Sequence, residues 1–299
     1  MDHNIKSTNV EFIDRLLGGG TRAGVYGILG PSGVGKSVLA NMIAANGTTG
    51  VSIFTTPLYA ELPCMLFDFH NGRSRTVQRV ISHIGRIRRD DVGCKSEEIQ
   101  EYEDARRDEL PAEDGLLIPS CEREYLAFKA VYKQLLVWSD DDEQPAFSSR
   151  ATPEWITDQI TNTAFQQRGL GGIVIDGVQD VWSASKGKTN LSEREFLEQF
   201  VAKSCRTLAQ RFQCPVWITH QIASAKCGAP PTTQLTHGDA AECKSFTDGM
   251  DACLEMRSAS DLNPESVFSI QCIKGDRNLV SRERISLKHD RDFSTIVEA

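Results

Sequence analysis

No apolar run in this 299-residue chain approaches the ~20 residues a membrane-spanning helix needs, which excludes helical membrane anchoring. No C-x-x-C pair occurs among its nine cysteines, so the usual signature of a zinc or dithiol redox site is missing. The cysteine count is odd, and several lie in apolar runs such as Cys64-Met65-Leu66-Phe67; they read as reduced thiols acting as small hydrophobes. Cationic excess is lacking as well. With 33 Lys and Arg against 41 Asp and Glu the net charge is −8, which argues against a protein that coats nucleic acid over its whole surface. A local basic groove survives that balance. The polar start, MDHNIKSTNVEFIDR, carries no apolar export core, so a cytoplasmic location is expected. Nor is there an internal repeat. The composition, 40% hydrophobic and 25% charged, excludes wholesale disorder.

The acid that is present is concentrated. Residues 90–124 hold thirteen Asp and Glu against four Lys and Arg, and without them the rest of the chain is close to neutral. This segment is expected to be a surface insertion with some helix, and it could serve as a partner-binding surface. Elsewhere, short apolar runs alternate with helical stretches, the pattern of an α/β fold in a single domain, 1–299. Strands are expected at 25–29, 64–69, 134–138, 172–176, 214–220, 252–256 and 267–274. Helices are expected at 38–45, 74–88, 153–168 with Thr152 as N-cap, and 193–212.

The first strand runs into Gly30-Pro31-Ser32-Gly33-Val34-Gly35-Lys36-Ser37, followed by Val38. This is the pattern of a phosphate-binding loop between a buried strand and a helix. Glycines let successive backbone N–H groups curl toward phosphate, and the helix start adds its positive dipole end. Lys36 is expected to hold the β and γ phosphates of ATP, and the Ser37 hydroxyl to ligate Mg²⁺. Asp176 closes the buried run Gly172-Ile173-Val174-Ile175, so its carboxylate is expected at the crevice edge as the second metal-binding group.

Several segments resemble a particular family. Thr8–Gly20 is similar to the lead-in of RecA/KaiC-type ATPases. Gly172-Ile-Val-Ile-Asp-Gly-Val-Gln179 resembles the magnesium-site strand of DnaB-type replicative helicases. Pro215-Val-Trp-Ile-Thr-His-Gln221 looks like their next strand with its terminal sensor Gln, and Ala241–Asp251 like the lead into the strand after that. Ile273-Lys-Gly-Asp-Arg-Asn278 resembles their strand-end Lys-x-Arg-Asn element with one extra residue. The resemblance covers about residues 8–80 and 134–299. It implies a RecA-like P-loop core, a mostly parallel sheet flanked by helices, and ATP bound between neighbouring subunits of a homo-oligomer, either a ring such as a hexamer or a filament. Lys274 and Arg277 would then reach the neighbour's γ-phosphate. With only about twenty residues ahead of the first strand, the chain is expected to be a motor core without the separate N-terminal domain that such helicases place before their motor.

One departure bears on catalysis. Where that family places a Glu that activates the attacking water, this chain reads Leu66-Phe-Asp-Phe-His-Asn71, with His70 at the matching position and Asp68 two residues before it. Glu61 and Asp180 are further candidates. Slow hydrolysis, or a base recruited from elsewhere, is expected. The loops that face the central channel in RecA-like rings correspond here to 182–191 and 223–233. They carry Trp182, Lys186, Lys188 and Lys226, residues suited to single-stranded DNA. Two functions stay open: a DNA-directed motor of the DnaB/RecA kind, and a KaiC-like regulatory ATPase that switches oligomer or partner binding without DNA.

Overall fold

The computed structural model describes residues 7–49, 62–92, 123–124, 126–127, 135–140, 151–167, 169–222, 247–258, 267–276 and 280–299. Glu61, Lys226 with its loop, Arg277, and residues 93–122 of the acidic segment lie outside the described residues.

Among the described residues nine strands form one sheet: β1 (Gly24–Gly30), β2 (Cys64–Gly72), β3 (Leu135–Asp140), β4 (Gly172–Asp176), β5 (Pro215–Gln221), β6 (Ala252–Ser258), β7 (Val267–Lys274), β8 (Arg284–Asp290) and β9 (Thr295–Glu298). Their spatial order is β3-β2-β4-β5-β1-β6-β7-β8-β9. The pairings from β3 through β6 are parallel, and those from β6 through β9 are antiparallel. β1 sits near the middle and is buried along its whole length, because parallel strands flank it and helices cover both faces. Alternation then sorts its side chains. Tyr26 and Ile28 enter the core under α2 (Lys36–Thr49) and α3 (Arg73–Gly85), with α1 (Glu11–Leu16) at its edge. Val25 and Leu29 enter the opposite core, under α4 (Pro153–Gln167), α5 (Val178–Ser185) and the long α6 (193–212).

α6 runs from Glu193 to Phe212 as the apolar periodicity requires. It starts on a capping box between Ser192 and Glu195, and its middle turn, Phe200–Cys205, is π-helical. Elements that the sequence pattern did not announce are α1, α5, β8 and β9. In β8 only Ile285 and Leu287 are buried, on either side of exposed Ser286, so its apolar signal is two residues long. The end of the acidic segment is also tied down. Ala127 is buried against Gly85, and the Arg123 guanidinium donates to the Arg86 carbonyl (2.8 Å).

The C-terminal strand is locked to the first helices through His83. Its Nε2–H donates to Asn46 Oδ1 (3.0 Å) and its Nδ1 accepts from the Thr295 hydroxyl (3.1 Å). Burial, aided by Arg86, pushes the ring down to about 4. The folded state therefore binds fewer protons than the unfolded chain between the unfolded value near 6.5 and about 4. Its stabilisation is complete above pH 6.5 and is lost as pH falls through that window, by at most about 3 kcal/mol. Denaturant melts at stepped pH should show a shallower loss for His83→Gln than for the wild type.

Candidate nucleotide site

The parallel strands end together on one edge of the sheet, and every element of the phosphate loop meets there. β1 delivers Gly30. The backbone then turns through Gly33 (φ +80°) and Gly35 (φ +96°), left-handed conformations that side chains rarely adopt, before α2 begins at Lys36. No acidic residue occupies the first turn of α2, so nothing negative opposes its dipole there. The Lys36 ammonium lies over the loop and donates to the Pro31 carbonyl (2.7 Å).

β4 and β5 supply the next groups. Asp176 is buried at the end of β4, where the Thr219 hydroxyl donates to Oδ1. Its Oδ2 is buried with no hydrogen-bond partner among the described residues. Burial raises the affinity of Asp176 for a proton, and the Asp68 charge adds to that, while the Thr219 and Ser37 hydroxyls oppose it. A buried carboxylate with an unused oxygen, close to a serine hydroxyl and beside a second carboxylate, is a setting that a divalent cation would relieve. Ser37 and Asp176 therefore fit Mg²⁺. Among the described residues no cluster of three or more His, Cys, Asp or Glu forms an all-protein metal cage. Mg²⁺ does not need one, because it takes phosphate oxygens and water as its remaining ligands.

On β5, Gln221 is exposed at the strand end, level with Gly30, and the Ile222 amide donates to the Gly30 carbonyl (3.1 Å). His220 lies just beneath. Burial, with the Lys36 charge nearby, pushes it down to about 4, so the ring is neutral at pH 7.

The two candidates on β2 separate clearly. Asp68 is level with Asp176 on the neighbouring strand and fully buried. Its carboxylate accepts from the backbone amides of His70 and Asn71 (3.1 Å each), from the Asn71 side chain, and from the Thr76 hydroxyl (2.7 Å). It binds the end of β2 to the start of α3. His70, by contrast, is exposed at the strand end, with Nε2 3.3 Å from Asp180 Oδ2.

Lys274 is held elsewhere. It sits at the end of β7, level with Cys253, which is level with Gly27. Since β7 runs antiparallel to β6, this end points away from the chain's own phosphate loop. The ammonium donates to the Thr247 and Asp248 carbonyls (2.5 and 2.8 Å), and burial lowers its proton affinity.

The segment after β4 differs from the open loop expected. Residues 178–185 form α5, and the Trp182 ring, partly buried, packs on Phe196 (centroids 5.2 Å apart) at the margin of the core. Lys186 and Lys188 are exposed in the tight turn that follows, built on Gly187 (φ +87°).

Known proteins share this arrangement of strands. The AAA domain family matches residues 12–226, well over half the chain. No curated protein sequence matches. The fold is RecA-like and similar to DnaB-type helicase ATPase domains. One solved structure, of an isolated ATPase domain, superposes with a TM-score of 0.68 at 15% identity, over 100% of this chain and 93% of that one. A DnaB-like replicative helicase, solved in a study of its interactions with primase, gives a TM-score of 0.69 at 15% identity. That match covers 100% of this chain and 65% of the helicase, so this chain spans just under two thirds of that protein's length.

Proposed function

The chain belongs to the AAA domain family, and on that premise we propose that it is an oligomeric, Mg²⁺-dependent ATPase that uses hydrolysis to move along single-stranded DNA or to rearrange a nucleoprotein complex. The observation that carries the nucleotide part is the convergence of Lys36, Ser37 and Asp176 on one strand edge, with a buried carboxylate oxygen left for a cation. Gly30 through Val38 hold the phosphates, with the loop amides and Lys36 neutralising charge. Ser37 and Asp176 would hold Mg²⁺, which would supply Lewis-acid stabilisation of the phosphate charge. Gln221, level with Gly30, would sense the terminal phosphate.

Strand direction supports the oligomer. Lys274 lies three residues below Gly30 along the strands, about 10 Å, and two strands across, with its ammonium turned away from the loop. From that end Lys274 would serve a nucleotide on a neighbouring copy, and Arg277, three residues on in the sequence, belongs to the same proposal. The DNA reading rests on Lys186 and Lys188, exposed in the turn after α5, and on Lys226. Few charges per subunit suffice when a ring repeats them. A protein partner at the acidic segment belongs to the same proposal.

Steady-state ATP hydrolysis with and without single-stranded DNA tests it. Stimulation by DNA that Lys186→Ala/Lys188→Ala weakens is the expected result. Turnover indifferent to DNA would instead make the chain a regulatory, KaiC-like ATPase. Mixing tests the shared site: Arg277→Ala and Lys36→Ala chains, each inactive alone, should regain turnover when combined. Failure to complement would place both groups in one subunit's site.

A further inference from the structure

We infer that Asp180 is a positioning residue that holds His70 to accept the proton of the water attacking ATP, an assignment resting on the ATPase reading above. Three observations converge on it. The His70 backbone is fixed, because its amide and that of Asn71 both donate to buried Asp68 (3.1 Å). On the other side the ring lies against Asp180, with Nε2 at an ion-pair separation of 3.3 Å from Oδ2 on the first turn of α5. Finally, the pair closes over Gly177, the residue after Asp176. A Cβ there would lie 2.5 Å from His70 Nε2 and 2.9 Å from Asp180 Oδ2. The absent side chain at 177 is what lets the imidazole approach the metal-site strand.

The chemistry follows from which nitrogen is engaged. In the proposed arrangement the Nε2 proton serves the Asp180 carboxylate 3.3 Å away, and Nδ1 keeps the lone pair available to water. The water oxygen bonds to the γ-phosphorus as the bond to the β–γ bridging oxygen breaks. ADP leaves with that electron pair, and one water proton passes to Nδ1 while the other stays on the phosphate formed. The imidazolium that results is stabilised by Asp180 and returns its proton to the departing products. Asp68 takes no part in the transfer, since its oxygens are occupied in holding the strand end. A carboxylate base needs no such orienting partner; an imidazole does, because its tautomer and tilt decide whether Nδ1 faces water.

The test is a set of full-length variants assayed for ATP turnover and, separately, for affinity toward a fluorescent ATP analogue. Asp180→Asn should lower kcat by about 10²-fold, His70→Gln by at least as much, and both should leave analogue affinity within about twofold. His70→Glu should retain turnover, and in that background Asp180→Asn should cost nothing, because a carboxylate base does not require the clamp. A merely structural Asp180 would predict equal loss in both backgrounds, and that result overturns the inference. So does full turnover in Asp180→Asn. A wild-type chain without turnover that depends on Lys36 overturns the ATPase reading as well, so the two failures are told apart.

Discussion

Replacing Lys36 by alanine is expected to reduce ATP turnover by about 10³-fold or more and to weaken nucleotide affinity by about 10²-fold, the largest functional effect of any single change in the site. The loop amides and the α2 dipole supply only partial charges, whereas the triphosphate brings several full ones. His220 cannot substitute, because burial and Lys36 itself keep it neutral at pH 7. The ammonium already lies over the loop, bonded to the Pro31 carbonyl, so little ordering is required of it on binding. Loss of affinity and turnover with an unchanged melting temperature is the expected pattern. Arginine at this position should not rescue, since its planar fork is a poor replacement for a compact point charge inside a tight loop. Wild-type turnover by Lys36→Ala would show that the loop does not hold the nucleotide.

The largest effect on stability is expected on the neighbouring strand, where Glu255 is level with Leu29 just before the phosphate loop. Arg257 and Glu255 lie two residues apart on β6, both buried, with Nε 2.8 Å from Oε1. Gln271 on β7 donates to the other Glu255 oxygen (3.1 Å), and Arg284 on β8 donates in turn to Gln271 (3.3 Å). Arg257→Leu removes the cation while leaving a desolvated carboxylate, which should cost about 3–5 kcal/mol. For a chain of this size that corresponds to a fall of roughly 10 °C in Tm. The double variant Glu255→Leu/Arg257→Leu should recover most of the loss, because two apolar groups of similar volume leave no buried charge. Thermal and denaturant melts of the three proteins check this. A single variant within about 0.5 kcal/mol of the wild type would mean that water reaches the pair.

That pair also shows what a linear reading misses. Ala252-Cys-Leu-Glu-Met-Arg-Ser258 announces a strand by its apolar residues, while Glu255 and Arg257 read as interruptions. Alternation places them on one face, and only pairing with β7 and β8 brings Gln271 and Arg284 to complete the network. Trp182 errs in the opposite direction. In sequence it stands beside Ser, Lys and Gly and suggests an exposed loop, but one helical turn brings it onto Phe196.

By itself the sequence determined the α/β alternation and the position of the phosphate loop. These follow from local causes: apolar runs of strand length, glycines at positions of positive φ, and a helix that starts on a lysine and a serine. Its order of motifs also carried the RecA-like resemblance that the fold then displayed. What only the tertiary structure decided concerns residues distant in the chain. Asp68 is occupied by the turn that follows it, whereas His70 is met by Asp180 across a glycine 107 positions away. The direction of β7 turns Lys274 away from its own phosphate loop. Such choices depend on which strand lies beside which, and on what its neighbours leave room for. Nothing in the local chemistry of a strand records its neighbour, so the sequence could name the candidate side chains but not pair them.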